Sequence, residues 1–133
     1  MESWQINLSL IPSIAVLLTS ANRSAIGLTD EINVRLMANI DAYKNILPLK
    51  IEQLKRISIS IFLMYTSLSL LILNALLTAL NFISPANDKI LIIVAIAFFF
   101  IGVHFSLMFS YNAFFIRKKQ FDFFIDQKNN KIR

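Results

Sequence analysis

Cysteine is absent from this chain. Disulfides and thiolate metal sites are therefore excluded, and the redox compartment leaves no mark. Histidine occurs once, as His104. One imidazole makes no metal site alone, and no activated nucleophile accompanies it. Charge is scarce as well. Asp, Glu, Lys and Arg form 16% of the 133 residues, against about a quarter in soluble domains. None lies between Arg56 and Asp88, or between Lys89 and Arg117. A helix of a soluble domain keeps a polar face for water, and neither stretch offers a charged one. Apolar residues, at 56%, fill the gap. The expectation is an all-α integral membrane protein of one domain, 1–133, with three transmembrane helices and cytoplasmic helical extensions.

A bilayer core of about 30 Å takes ~20 apolar residues in a helix. Two spans, 57–82 and 90–116, exceed that length and would tilt or protrude. The first, about 5–27, is more polar, with Asn7, Ser9, Pro12, Ser13, Thr19 and Ser20 inside it and Trp4 at its outer edge. A cleaved signal peptide carries a basic start. Here Glu2 precedes the apolar run and Arg23 follows it, which favours a retained N-out anchor. Six Lys and Arg lie from Arg23 to Arg56 and six more from Arg117 to Arg133. The N-terminus has none and the link between the later spans only Lys89. The net charge of +5 thus reads as an orientation signal, not a nucleic-acid footprint. This predicts a multi-pass protein of the cell inner membrane, N-terminus outside and C-terminus cytoplasmic.

The outer link 83–89 is a tight turn, with Ser84 as cap and Pro85 at the first helical position. The inner segment 28–56 reads as a cytoplasmic helical hairpin. An apolar stripe there includes Ile26, Met37, Ile40 and Leu47, with Leu36 and Tyr43 beside it. Asp30, Glu31, Arg35 and Asp41 fall mainly off the stripe, as a solvated face does. Gly27 offers a flex point, and Pro48 resets the chain. From Leu49 a helix runs into the second span, with Glu52 and Arg56 paired across one turn. The tail 117–133 reads as an interfacial helix fraying from Gln127, its basic residues suited to anionic lipid.

Polar residues inside the spans supply the candidate sites. In the first span Ser9, Ser13, Ser20, Arg23 and Gly27 share a face with Val16. A face this polar belongs inside a bundle or beside water. Three spans make a thin bundle, so a ring of subunits with this helix innermost is expected. Its axial path would be lined by hydroxyls and narrowed at Val16 or Leu17; the alternative is a dry packed seam. In the second span Ser60, Ser67, Asn74, Thr78 and Asn81 follow a heptad stripe, with Asn74 near mid-span in need of a partner. In the third, Gly102, Ser106 and Ser110 stand four apart, a spacing that admits close helix packing. Phe98, Phe99 and Phe100 read as lipid-facing or packing bulk.

The order of these features resembles a family of small bacterial membrane proteins named only as domain of unknown function 2721. Its members begin with a Pro-containing apolar span ending in Ser/Thr-x-Asn-Arg. Here that is Ser20, Ala21, Asn22 and Arg23, after Ile11 and Pro12. An acidic residue followed by Arg usually comes next; Asp30 matches, and Glu31 stands where the Arg is expected. The later spans and basic end match from Leu54, Lys55 and Arg56 through Arg117 to Lys119. The resemblance covers roughly Leu10 to Phe124. It implies this topology and no known activity.

The function expected from the residues is a homo-oligomeric channel or pore-like assembly with the first helix near the axis. The alternative is a non-conducting scaffold or accessory subunit whose hairpin and tail bind a partner. Neither reading involves an enzyme, cofactor, metal or nucleic acid.

Overall fold

The computed structural model describes residues 3–36 and 44–132, with side chains at 3–4, 6–8, 35–36, 123–124 and 126–132 undescribed. Every described element is helical. Helix α1 (Ser3–Asp30) passes without a break into a π-helical segment, Glu31–Leu36. Helix α2 spans Leu47–Ala79 and α3 spans Pro85–Ile132. Met37 and Ile40 of the expected hairpin stripe, Tyr43 beside it and Asp41 off it lie outside the described residues.

Local chemistry sets the helix ends. Pro48 sits in the first turn of α2, where a missing N–H costs nothing, and Lys50 N–H donates to Ile46 O at 3.1 Å. At the other end Asn81 takes φ 56°, the left-handed conformation that Asn tolerates better than most residues. Phe82 N–H donates to Leu77 O at 2.9 Å and Asn81 N–H to Thr78 O at 3.0 Å. Together these form a Schellman closure. Asn81 is exposed and ends the helix, so it does not extend the polar stripe of α2 as the sequence suggests. Helix α3 starts at Pro85 as expected, with Ser84 Oγ accepting from Asn87 N–H at 3.5 Å. No Gly or Pro follows Gly102, and α3 stays helical to Ile132. The tail is helical as expected, but it continues α3 as one 48-residue helix instead of fraying from Gln127.

Helix α2 is the middle element, packed along α3 on one side and α1 on the other, while α1 and α3 barely meet. Its buried positions Lys50, Gln53, Ile57, Ser60, Met64, Ser67, Leu71 and Asn74 keep heptad spacing, with Ala75 buried beside the last of them. The facing seam of α3 keeps the same period through Asp88, Ala95, Gly102, Phe109 and Ile116, all buried or half-buried. Helix α1 and the segment after it lean on α2 through Ile14, Leu18, Ala21, Leu28 and Ile32, at steps of three, four and seven residues. Ile14 packs with Leu71 and Ala95; Leu28 and Ile32 pack with Leu47, Leu54 and Phe109.

Among the described residues two helices, α2 and α3, are long and apolar enough to cross a membrane. A core helix of a soluble domain can be as apolar, but it is mostly buried. Here only 33% of the apolar window of α2 and 11% of that of α3 are buried within the chain. Phe62, Ile93, Phe100, Leu107, Tyr111 and Phe114 all project outward.

Candidate functional site

Two polar arrangements stand out, one closed within the chain and one open. The closed one is the seam between α2 and α3. Ala95 and Gly102 carry little or no side chain, so the two backbones approach closely. Hydroxyls on α2 then reach carbonyls on α3. Ser60 Oγ donates to Gly102 O at 2.6 Å, and Ser67 Oγ donates to Ala95 O at 2.7 Å. One heptad further, Asn74 Nδ2 donates to Asp88 Oδ1 at 2.8 Å, and Thr78 Oγ1 reaches the same oxygen at 3.0 Å. Asn74 lies near the end of α2, not at mid-span, and its partner is a buried carboxylate from the first turn of α3. Its own Oδ1 is left buried without a partner. Interhelical bonding accounts for this stripe.

Gly102 explains itself sterically. A Cβ there would lie 3.1 Å from both Ser60 O and Met64 Cγ. Met64 can yield, but the backbone oxygen cannot without parting the helices. Gly102→Ala is expected to destabilise the protein by about 1–3 kcal/mol, measured by thermal unfolding in detergent. Gly27→Ala is the control, since nothing lies within 4 Å of its Cβ position. Ser106 and Ser110 do not continue the Gly102 seam. A four-residue step rotates about 40° past a full turn. Ser106 is half-buried and Ser110 exposed, both beside the groove between α3 and α1.

A buried cluster closes the other end of the bundle. Lys50 Nζ is 3.0 Å from Glu31 Oε2, and Gln120 Nε2 donates to Glu31 Oε1 at 3.4 Å. Glu31 thus ties all three helices from the π-helical segment, a distortion often found where a side chain must be re-aimed. This corrects its reading as part of a solvated face; Asp30 is exposed as expected. Glu52 and Arg56 form the expected pair at 3.2 Å. Arg23 pairs with no carboxylate among the described residues.

The open arrangement is the outer face of α1. Ser9, Ser13, Val16, Ser20, Arg23, Gly27, Asp30 and Val34 are all exposed, at steps of three and four along the helix. This stripe lies opposite the seam that packs on α2. Thr19, Ser24 and Thr29 donate their hydroxyls to carbonyls one turn back in α1. Ser13 and Ser20 make no such bond among the described residues. Val16 is 70% exposed at the centre of the stripe. Leu17 sits a quarter-turn away, in the groove with Met64, Val103 and Phe109. Asn22, from the family-like motif, donates to Tyr65 OH at 3.2 Å, linking α1 to α2.

Comparison with known proteins finds no matching family model, curated protein or solved structure. What the site can do therefore rests on its own chemistry. Among the described residues no three His, Cys, Asp or Glu side chains gather as metal ligands. His104 is exposed, edge-on to Phe105 with ring centroids 6.4 Å apart. Three buried groups escaped sequence reasoning: Asp88, which looks like a solvated turn residue, and Lys50 and Gln53, which look like helix surface. Stepping back in sevens from Gly102 through Ala95 reaches Asp88, and that was the available signal.

Proposed function

We propose that this chain crosses the membrane three times and assembles into a ring of identical subunits around α1, forming a channel or pore-like path. The observation that carries the proposal is the exposed heptad stripe of α1. Hydroxyls at Ser13 and Ser20 and a guanidinium at Arg23 are poorly matched to lipid. Copies of the stripe packed about an axis would remove it from lipid and leave the hydroxyls to water. The apolar outer faces of α2 and α3 suit the lipid side. The Lys and Arg bias puts the N-terminus outside and the basic end of α3 in the cytoplasm, beside anionic lipid. Arg23 at the inner mouth would disfavour cations, and Val16 would form a hydrophobic constriction that gates by dewetting.

Val16→Ser tests this directly. A polar ring lowers the barrier to water entry, and each ~1.4 kcal/mol removed is tenfold in rate. Reconstituted Val16→Ser is expected to carry about tenfold more current than wild type in a planar bilayer. Single cysteines at Ser13, Val16 and Ser20 should react with water-soluble thiol reagents, while one at Ile14 should not. A second reading is a non-conducting scaffold, favoured by the projecting basic end of α3. It is the conclusion if those cysteines stay unlabelled and Val16→Ser passes no current.

A further inference from the structure

At their basic end α2 and α3 part slightly and enclose a cleft of about 220 Å3. Gln53 lines it at the next heptad position after Ser60, but no small residue or carbonyl answers it. Phe109 occupies that level of α3. Gln53 is 2% exposed, and its Nε2 is buried with no hydrogen-bond partner. Three more nitrogen donors line the same cleft: Arg56, Asn112 and Lys119. Arg56 gives its Nε to Glu52 Oε1 and keeps its terminal NH2 groups. Asn112 and Lys119 have no partner among the described residues. Among the described residues Glu52 is the one carboxylate of the lining, which is then net positive. Leu49, Phe115 and Ile116 supply an apolar wall.

The two amides each bring a carbonyl as well as an NH2, so the surplus lies in the Arg56 and Lys119 cations over the Glu52 carboxylate, which suits an acceptor-rich anion. Small-molecule pockets usually exceed about 300 Å3, so this cleft suits one charged group whose apolar remainder lies outside. It sits where the charge-free stretches of α2 and α3 give way to Arg56 and Arg117, the depth of headgroups in a membrane-spanning pair. We propose that this cleft binds the phosphate group of an anionic lipid headgroup, with the acyl chains running along α3 past Phe115. The inference rests on α2 and α3 crossing the membrane, and it is independent of conduction.

The test uses the full chain in detergent micelles doped with phosphatidylglycerol or phosphatidylcholine, with retained lipid counted by native mass spectrometry. Wild type is expected to prefer the anionic lipid by about tenfold. Lys119→Gln is expected to lower that preference about fivefold and Gln53→Leu to lower retention of both lipids about fivefold, since both carry the phosphate, with Arg117→Gln close to wild type. Gln53→Leu removes an unsatisfied buried donor, so it should melt no lower than wild type while losing lipid. A merely structural Gln53 would lose stability as well. Equal retention of both lipids overturns the proposal, as does a loss in Arg117→Gln matching that in Lys119→Gln, the mark of diffuse attraction. Inorganic phosphate that raises the melting temperature in lipid-free detergent, with no lipid preference, assigns the site to a soluble anion and overturns the lipid assignment. A chain left in solution after membranes are sedimented overturns the spanning reading along with it. A chain in the membrane fraction without lipid preference overturns the cleft alone.

Discussion

Glu31→Ala is expected to lower stability by about 2–3 kcal/mol, at or below the low end for breaking a buried ion pair, because Lys50 is buried while the Glu31 side chain is 30% exposed. Lys50 is 4% exposed, and among the described residues Glu31 Oε2 is its one carboxylate partner, at 3.0 Å. Removing that carboxylate strands a buried ammonium, and it also frees Gln120. The helix ends must then open to hydrate the charge. Thermal unfolding should fall by roughly 10 °C for a chain of this size. Glu52→Ala is the internal control. Its pair with Arg56 has side chains 53% and 32% exposed, and an i,i+4 surface pair contributes only about 0.3–0.5 kcal/mol. Replacing Glu31 and Lys50 together by Leu and Met should recover most of the loss, because no charge is left buried. A double variant as unstable as Glu31→Ala alone would show that packing, not charge pairing, dominates there.

Asp88→Leu is expected to cost about 2–5 kcal/mol. Its Oδ1 accepts from both Asn74 Nδ2 and Thr78 Oγ1, and each stranded donor costs about 1–3 kcal/mol. Asn74 suffers most, since it is fully buried and its Oδ1 already lacks a partner. Asp88→Asn separates the acceptor from the charge. The new amide keeps a carbonyl for Asn74 Nδ2 and offers an NH2 to Asn74 Oδ1. Its unfolding temperature should lie within a few degrees of wild type. If Asp88→Asn falls as far as Asp88→Leu, the carboxylate's charge is the quantity that matters.

The helical architecture was legible because its signals are local. Charge-free stretches mark α2 and α3, and Pro48 and Pro85 mark their starts. The stripe through Ser60, Ser67 and Asn74 was legible for the same reason. Its counterpart on α3 was misread. Small residues four apart, Gly102, Ser106 and Ser110, looked like the seam, whereas the neighbouring helix selects residues seven apart. Hidden altogether was pairing between elements. Glu31 meets Lys50 across 19 residues and Gln120 across 89, and no spacing rule reaches that far. Exposure of the α1 stripe was half legible. Polarity singled out Ser9, Ser13, Ser20 and Arg23, and the docking of α2 on the opposite face decided that they stay uncovered.

The unbroken length of α3 makes it a lever. From Ile116 to Ile132 it reaches about 24 Å beyond its charge-free stretch, at 1.5 Å per residue. No glycine or proline after Gly102 supplies a hinge. Spans of this length answer a thinner bilayer by tilting. With rigid continuity, each 10° of tilt would carry the far end sideways by roughly 4 Å. If α3 spans the bilayer as proposed, a change in bilayer thickness would be felt at Ile132 as a displacement, with no separate moving part between them.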